Sequence, residues 1–211
     1  MMYLYWLLMV PVSLGFTIIA LLLAPLLPIF ARDEYGLCDN GNAQRTEPRL
    51  PAWLSWFMTP DNSLYGDGAW QRMEDGHWEW RVKFAKWPAI ERYLGYIGWL
   101  IRNSAYGFEW HGPLCAHIAS DAAVRFIGDP WIQNRPNGKA GFCLTIIDNP
   151  DGTSYWHLYW VKAVGGGYCL NINLGWKLKT YAEDPSRIQT EPRAMYTFSP
   201  RVTAFAEGAH G

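Results

Sequence analysis

The first charged side chain in the chain is Arg32, and the stretch before it, "YLYWLLMVPVSLGFTIIALLLAPLLPIFA" at residues 3–31, is apolar almost throughout. A helix crosses the hydrocarbon of a bilayer with about 20 apolar residues, so this run predicts a transmembrane anchor over residues 1–31. A cleaved signal peptide would need a basic leader and a shorter apolar stretch, and neither is present. Pro11 is tolerated inside a membrane helix, while Pro25 and Pro28 bring it to an end. Residues 32–50 are polar and irregular and read as a linker. From residue 51 the pattern becomes that of a folded domain. "HWEWRVKFAKW" at residues 77–87 alternates as a strand does. From about Ala89, apolar residues Ile90, Tyr93, Leu94, Ile97 and Ile101 recur at helical spacing. After Gly138 the turn signals dominate: "DNPDG" divides two β-rich runs into a hairpin, "GGG" at 165–167 leads into "YCLNINLGWKLK", and "AMYTFSPRVTAF" closes the sheet. The fold class predicted is α+β: one N-terminal transmembrane helix, then a single small domain over residues 51–211 with an antiparallel sheet and at least one packed helix. Its part at 51–120 is Trp-rich and close to the membrane, and its part at 121–211 is β-rich.

Composition sharpens the membrane expectation. The chain holds 13 Trp, 12 Tyr and 9 Phe, and eight of the Trp fall between Trp53 and Trp110. Rings with an apolar body and a polar tip settle at the headgroup level of a bilayer. Tyr3 and Trp6 suit one membrane interface and Arg32 the other, while Trp53, Trp56 and Phe57 suit a short amphipathic turn resting on the surface. Lys and Arg are absent ahead of the helix, whereas Arg32, Arg45 and Arg49 follow it; this places the N-terminus outside and the domain in the cytoplasm. Cys38, Cys115, Cys143 and Cys169 are widely spaced and read as reduced thiols in that compartment. A formal charge of −1 without a basic cluster excludes a nucleic-acid partner. The partners expected are the lipid bilayer, an unidentified protein, and a second copy in a homo-oligomer.

Candidate chemistry is sparse. "TPDNSLYGDG" has the residues of a fixed turn: Pro60 at a turn's second position, Asp61 and Asn62 to bond nearby amides, Gly66 for positive φ, and Asp67. Counted from Asp61, the positions an EF-hand needs for oxygen ligands are wrong, so a structural turn is expected and not a calcium loop. The loop's large rings are expected to pack on the helix at 90–102, with Asp61 accepting backbone amides. His111, Cys115 and His117 form the densest set of soft ligands, but a fourth ligand is not apparent and packing roles are the expectation. His157 reads as a satisfied edge residue. No cofactor is expected, no residue is assigned a catalytic role, and P-loop, dinucleotide and GxSxG fingerprints are lacking.

The blocks "TPDNSLYGDG", "GWLIRNSAYGFEW", "LGWKL" and "MYTFSP" occur in that order across most of the chain. Together they resemble a group of uncharacterised, membrane-anchored proteins of tailed bacteriophages, with Ser104 standing where the group has Pro. The resemblance implies a phage origin and a membrane location, and carries over no catalytic residue; the membrane expected is the host inner membrane. The function expected is therefore interaction at that membrane, by envelope modulation, superinfection exclusion or assembly support. The alternatives are a virion or DNA-ejection component and an envelope-acting hydrolase.

Overall fold

The computed structural model describes residues 2–37, 44–67, 70, 87–110, 114–134, 138–178 and 193–205. In chain order the elements are α1 (Met2–Leu23), a 3-10 turn (Leu27–Phe30), β1 (Arg32–Leu37), β2 (Gln44–Arg49), a second 3-10 segment (Ala52–Phe57), α2 (Pro88–Arg102), α3 (Tyr106–Glu109), β3 (Ala116–His117), β4 (Ala123–Gly128), β5 (Gly141–Asp148), β6 (Ser154–Gly165), β7 (Tyr168–Trp176), β8 (Arg193–Ala194) and β9 (Tyr196–Ala204). The fold is α+β, with an apolar N-terminal helix, further helices and antiparallel sheets. Its chain separates into two compact units, Met1–Val10 with Glu109–Gly211, and Pro11–Phe108. The division runs through α1 at Pro11.

In the unit of residues 11–108, Ala24 and Leu27 join Leu50, Leu54, Met58, Leu64 and Leu100 in one buried cluster, with Phe57, Tyr96 and Ile97 packed against it. Residues 32–37 and 44–49, expected to be irregular linker, are strands. β1 and β2 pair antiparallel from Arg32↔Arg49 to Leu37↔Gln44. α2 begins at Pro88, a residue suited to a helix's first turn because its missing N–H would have no partner there. Its buried residues are Trp99 and Leu100, while Ile90 and Ile101 are exposed. The helix is where its periodicity placed it, but the core takes a neighbouring face. The strand expected over residues 77–87 lies, apart from Trp87, outside the described residues.

In the other unit a five-stranded meander runs β4-β5-β6-β7-β9, every neighbour antiparallel. The β5–β6 hairpin closes through "DNPDG": Asn149 and Thr153 bond backbone to backbone, the Asp151 carboxylate accepts the Thr153 amide at 2.8 Å, and Gly152 takes φ +82°. Gly165, Gly166 and Gly167 all have positive φ and turn β6 into β7. β4, which carried no clear sequence signal, adds an edge strand through pairs such as Phe126↔Thr145.

Alternation along the strands sorts the two faces of this sheet in an unusual way. Cys143, Thr145, His157, Cys169 and Asn171 are on the buried face, over a cluster of Ile132, Val161 and Phe205. Their polar atoms find one another. Cys143 meets Thr145, Cys169 meets Thr203 at 3.3 Å, and Asn173 donates to Asn171 at 2.8 Å. Buried polar groups are tolerated when hydrogen-bonded, so the face can close. The opposite face presents Phe142, Trp160, Phe198 and Val202, all exposed, with Leu144, Leu158, Ile172 and Leu174 half-buried between them.

Candidate membrane-binding site

α1 is, among the described residues, the one helix long and apolar enough to cross a membrane: 22 residues, with a mean hydropathy of 2.3 in its best window and only 17% of that window buried. At about 1.5 Å per residue it measures about 33 Å. Leu4, Leu7, Leu8, Ile18 and Leu22 stand exposed around it. A helix apolar on all sides and buried on few is built for an apolar surrounding.

Its first turns are fastened to the sheet. The Trp6 ring is buried between Trp156 at 5.1 Å and Tyr196 at 5.9 Å, and it touches Phe198 at 6.2 Å. Trp6 Nε1 donates to the Thr197 carbonyl at 3.2 Å, and the Tyr196 hydroxyl donates back to the Trp6 carbonyl at 3.1 Å. Tyr3 lies 5.0 Å from Trp156, and Tyr5 stacks on Trp176. Of the two residues expected at the first membrane interface, Trp6 is thus inside the protein and Tyr3 is at its edge. At the other end, Arg32 is exposed in β1. The Tyr93 hydroxyl donates to Pro25 O at 2.5 Å, and Trp53, 66% exposed, meets Phe30 edge-on at 5.6 Å. Trp56 is exposed and tilts against Phe108, while Phe57 belongs to the buried cluster.

Across residues 59–67 and 70, side chains other than the one expected hold the backbone. Asp67 accepts the Trp70 amide at 2.7 Å, and Ser63 accepts that of Tyr65 at 3.3 Å. Asp61 is exposed and accepts no hydrogen bond among the described residues. Pro60 is exposed as well. Its carbonyl takes a bond from Arg49, and Asn62 O takes one from the Thr59 hydroxyl. Gly66 has φ +75°, and a Cβ there would strike the Trp70 and Trp99 rings. Those two rings pack 5.9 Å apart, with Arg102 5.6 Å from each. Trp70 and Phe57 therefore pack near α2 as expected, whereas Trp53 and Trp56 pack elsewhere.

Of the soft-ligand set, only Cys115 and His117 are among the described residues. His111 lies outside the described residues, Cys115 is buried with its thiol pushed up by desolvation, and His117 is exposed. No group of three His, Cys, Asp or Glu side chains comes together among the described residues. Cys115, Cys143 and Cys169 are free and buried; Cys38 lies outside the described residues. His157 is not on an edge strand. It sits in the centre of the sheet, where burial drives it down to about 4 and its Nε2 meets Asn173 Oδ1 at 3.1 Å. The Asn173 amide donates to Asn171, so its oxygen faces the ring. A shallow hollow of about 270 Å³ lies beside α2, lined by Leu64, Tyr65, Glu91, Arg92 and Tyr96.

No curated protein and no solved structure matches the chain. Over residues 1–204, and so through α1 and the whole meander, the chain matches the family described as "Family of unknown function (DUF7338)", and it belongs to that family.

Proposed function

We propose that this chain is a phage-encoded protein held at the host inner membrane by α1, with its folded part at the cytoplasmic face, and that it acts there by binding another protein. The observation that carries the reading is α1 itself, a charge-free helix of membrane length with most of its surface open. The cytoplasmic side is supported by the basic residues that follow the helix in sequence, Arg32, Arg45 and Arg49, with none ahead of it. The phage origin is supported by the sequence blocks set out above. Binding of a further protein would modulate the envelope, exclude a second phage or support assembly. In bacteria expressing the full chain, the protein is expected in the membrane fraction through alkaline carbonate and to be released by detergent. Release by carbonate alone overturns the proposal.

A further inference from the structure

A meander ends in two edge strands, whose outer backbone groups either meet water or pair with another strand. Here the edges are β4 and β9. β9 carries Pro200 in mid-strand and the exposed Arg201 after it. A proline has no N–H to offer and an exposed charge resists burial, so this edge is protected from pairing. β4, "AVRFIG", has neither proline nor lysine. Its one charge is Arg125, whose Nε and Nη2 both donate to Asp148 Oδ2, at 3.0 and 2.8 Å, within the sheet. The edge is left neutral. Apolar side chains stand along it: Ile127 is exposed, as is Trp131 just beyond the strand, and Phe126 is half-buried.

We propose that β4 pairs antiparallel with the β4 of a second copy of this chain, joining the two five-stranded meanders into one continuous sheet. The inference goes beyond the membrane reading and does not depend on it. Parity along the strand is its first support. The Asp129 amide donates to the Phe142 carbonyl at 2.8 Å, and β4 pairs with β5 from Ala123↔Asp148 to Gly128↔Cys143. In an antiparallel ladder alternate residues bond to the same neighbour, so the odd-numbered residues of β4 direct their amides and carbonyls to β5. Those of Val124, Phe126 and Gly128 point to the outer side, where no other strand takes them among the described residues. Register is the second support. Directly opposed residues share one face of a sheet, so a junction that keeps both faces continuous opposes even residues with even and odd with odd. Centred on Arg125, a two-fold pairing would set the two guanidinium groups against each other. Centred on Phe126, it sets Arg125 opposite the partner's Ile127 and Val124 opposite the partner's Gly128, and the two Phe126 rings meet. Aromatic cross-strand pairs stabilise a sheet and directly opposed like charges destabilise it, so the second register is selected. It also closes the core at its border. Phe126 packs against the cluster of Ile132, Cys143, Val161, Cys169 and Phe205, and the second ring covers the side of it that is open. The fit is reciprocal, one neutral strand supplying both sides, which is the property of a two-fold interface.

The test uses the full chain in micelles of a zwitterionic detergent. Sedimentation of the parent is expected to give the mass of two copies. In a Cys38→Ser background, Phe126→Cys is expected to yield a disulfide-linked dimer with copper phenanthroline in air, and Val202→Cys on β9 is not. Val124→Pro removes an outward N–H and no bond of the β4–β5 ladder. It is expected to keep the parent's melting transition and to abolish both the dimer mass and the link. Ile127→Lys sets an ammonium opposite the partner's Arg125 and is expected to weaken the dimer about tenfold, whereas Ile127→Glu should not weaken it. Where Val124→Pro fails to fold, the contrast at 127 decides. Equal weakening by Lys and Glu overturns the inference, and so does a dimer that survives a folded Val124→Pro. A link at 202 in place of one at 126 overturns it by assigning the contact to β9. A single-copy mass with no link at 126 overturns it too, leaving the edge to a strand of another protein and the membrane reading intact.

Discussion

Asp61 and Asp67 occupy the same loop, and their neighbours decide which of them matters. Asp67 accepts the Trp70 amide at 2.7 Å and stands 3.9 Å from the Arg102 guanidinium, while Asp61 points to solvent. Asp67→Ala should lower stability by about 0.5–2 kcal/mol, as the loss of a local side-chain cap does. Asp61→Ala should stay within about 0.5 kcal/mol of the parent. Urea unfolding of the two variants with calcium and with chelator checks both expectations, and the midpoints should not respond to the ion. His157 makes the second residue-scale prediction. Burial lowers its folded-state value to about 4, against roughly 6.5 in an unfolded chain. The unfolded state therefore takes up the proton first. Stability is full above about pH 6.5 and falls as pH drops from there toward about 4, by on the order of 3 kcal/mol. In His157→Gln that part of the pH dependence should vanish, which unfolding midpoints measured across this window will show.

At the scale of elements, α1 is made by composition and placed by one ring. Twenty-two residues without a charge form a helix in any apolar setting, and Pro11 is accommodated because its missing N–H is a small loss in a long ladder. Trp6 is what ties the helix to the meander. Trp6→Ala should cost about 3–5 kcal/mol, the range for emptying a large aromatic site, and should free the N-terminal turns for proteolysis. Trp6→Phe should recover the packing but not the bond to the Thr197 carbonyl. Unfolding and limited proteolysis in detergent micelles separate the two contributions.

For the whole molecule, the balance of charge and apolar surface sets how it meets a membrane. With a formal charge of −1 there is little electrostatic attraction to an anionic bilayer. Attachment carried by α1 should then be insensitive to salt. Raising ionic strength to about 1 M shortens the screening length to about 3 Å, and the fraction of protein floating with vesicles should not change. A marked fall in that fraction would mean that Lys and Arg contacts hold the protein on the surface.

The sequence by itself determined what short-range chemistry can specify. A charge-free run makes α1, "DNPDG" and "GGG" close their hairpins because the backbone there needs those residues, and the alternation in "YCLNINLGW" makes a strand with two unlike faces. The α+β class follows from these alone. Only the tertiary structure decided which face of that strand is covered. Alternation is symmetric, and Cys169 and Asn171 could be buried, with Asn173 half-buried beside them, only because Thr203 and His157 come from other strands to meet this polar set. For the same reason Trp6, indistinguishable by sequence from a headgroup-seeking ring, is found inside the protein. Its partners lie some 150 to 190 residues further along the chain, and no local pattern encodes a contact of that separation. β1 and β2 are not legible in the sequence because polar strands carry no hydrophobic period, and the choice of Asp67 over Asp61 is not legible because both suit the bond that only one of them makes.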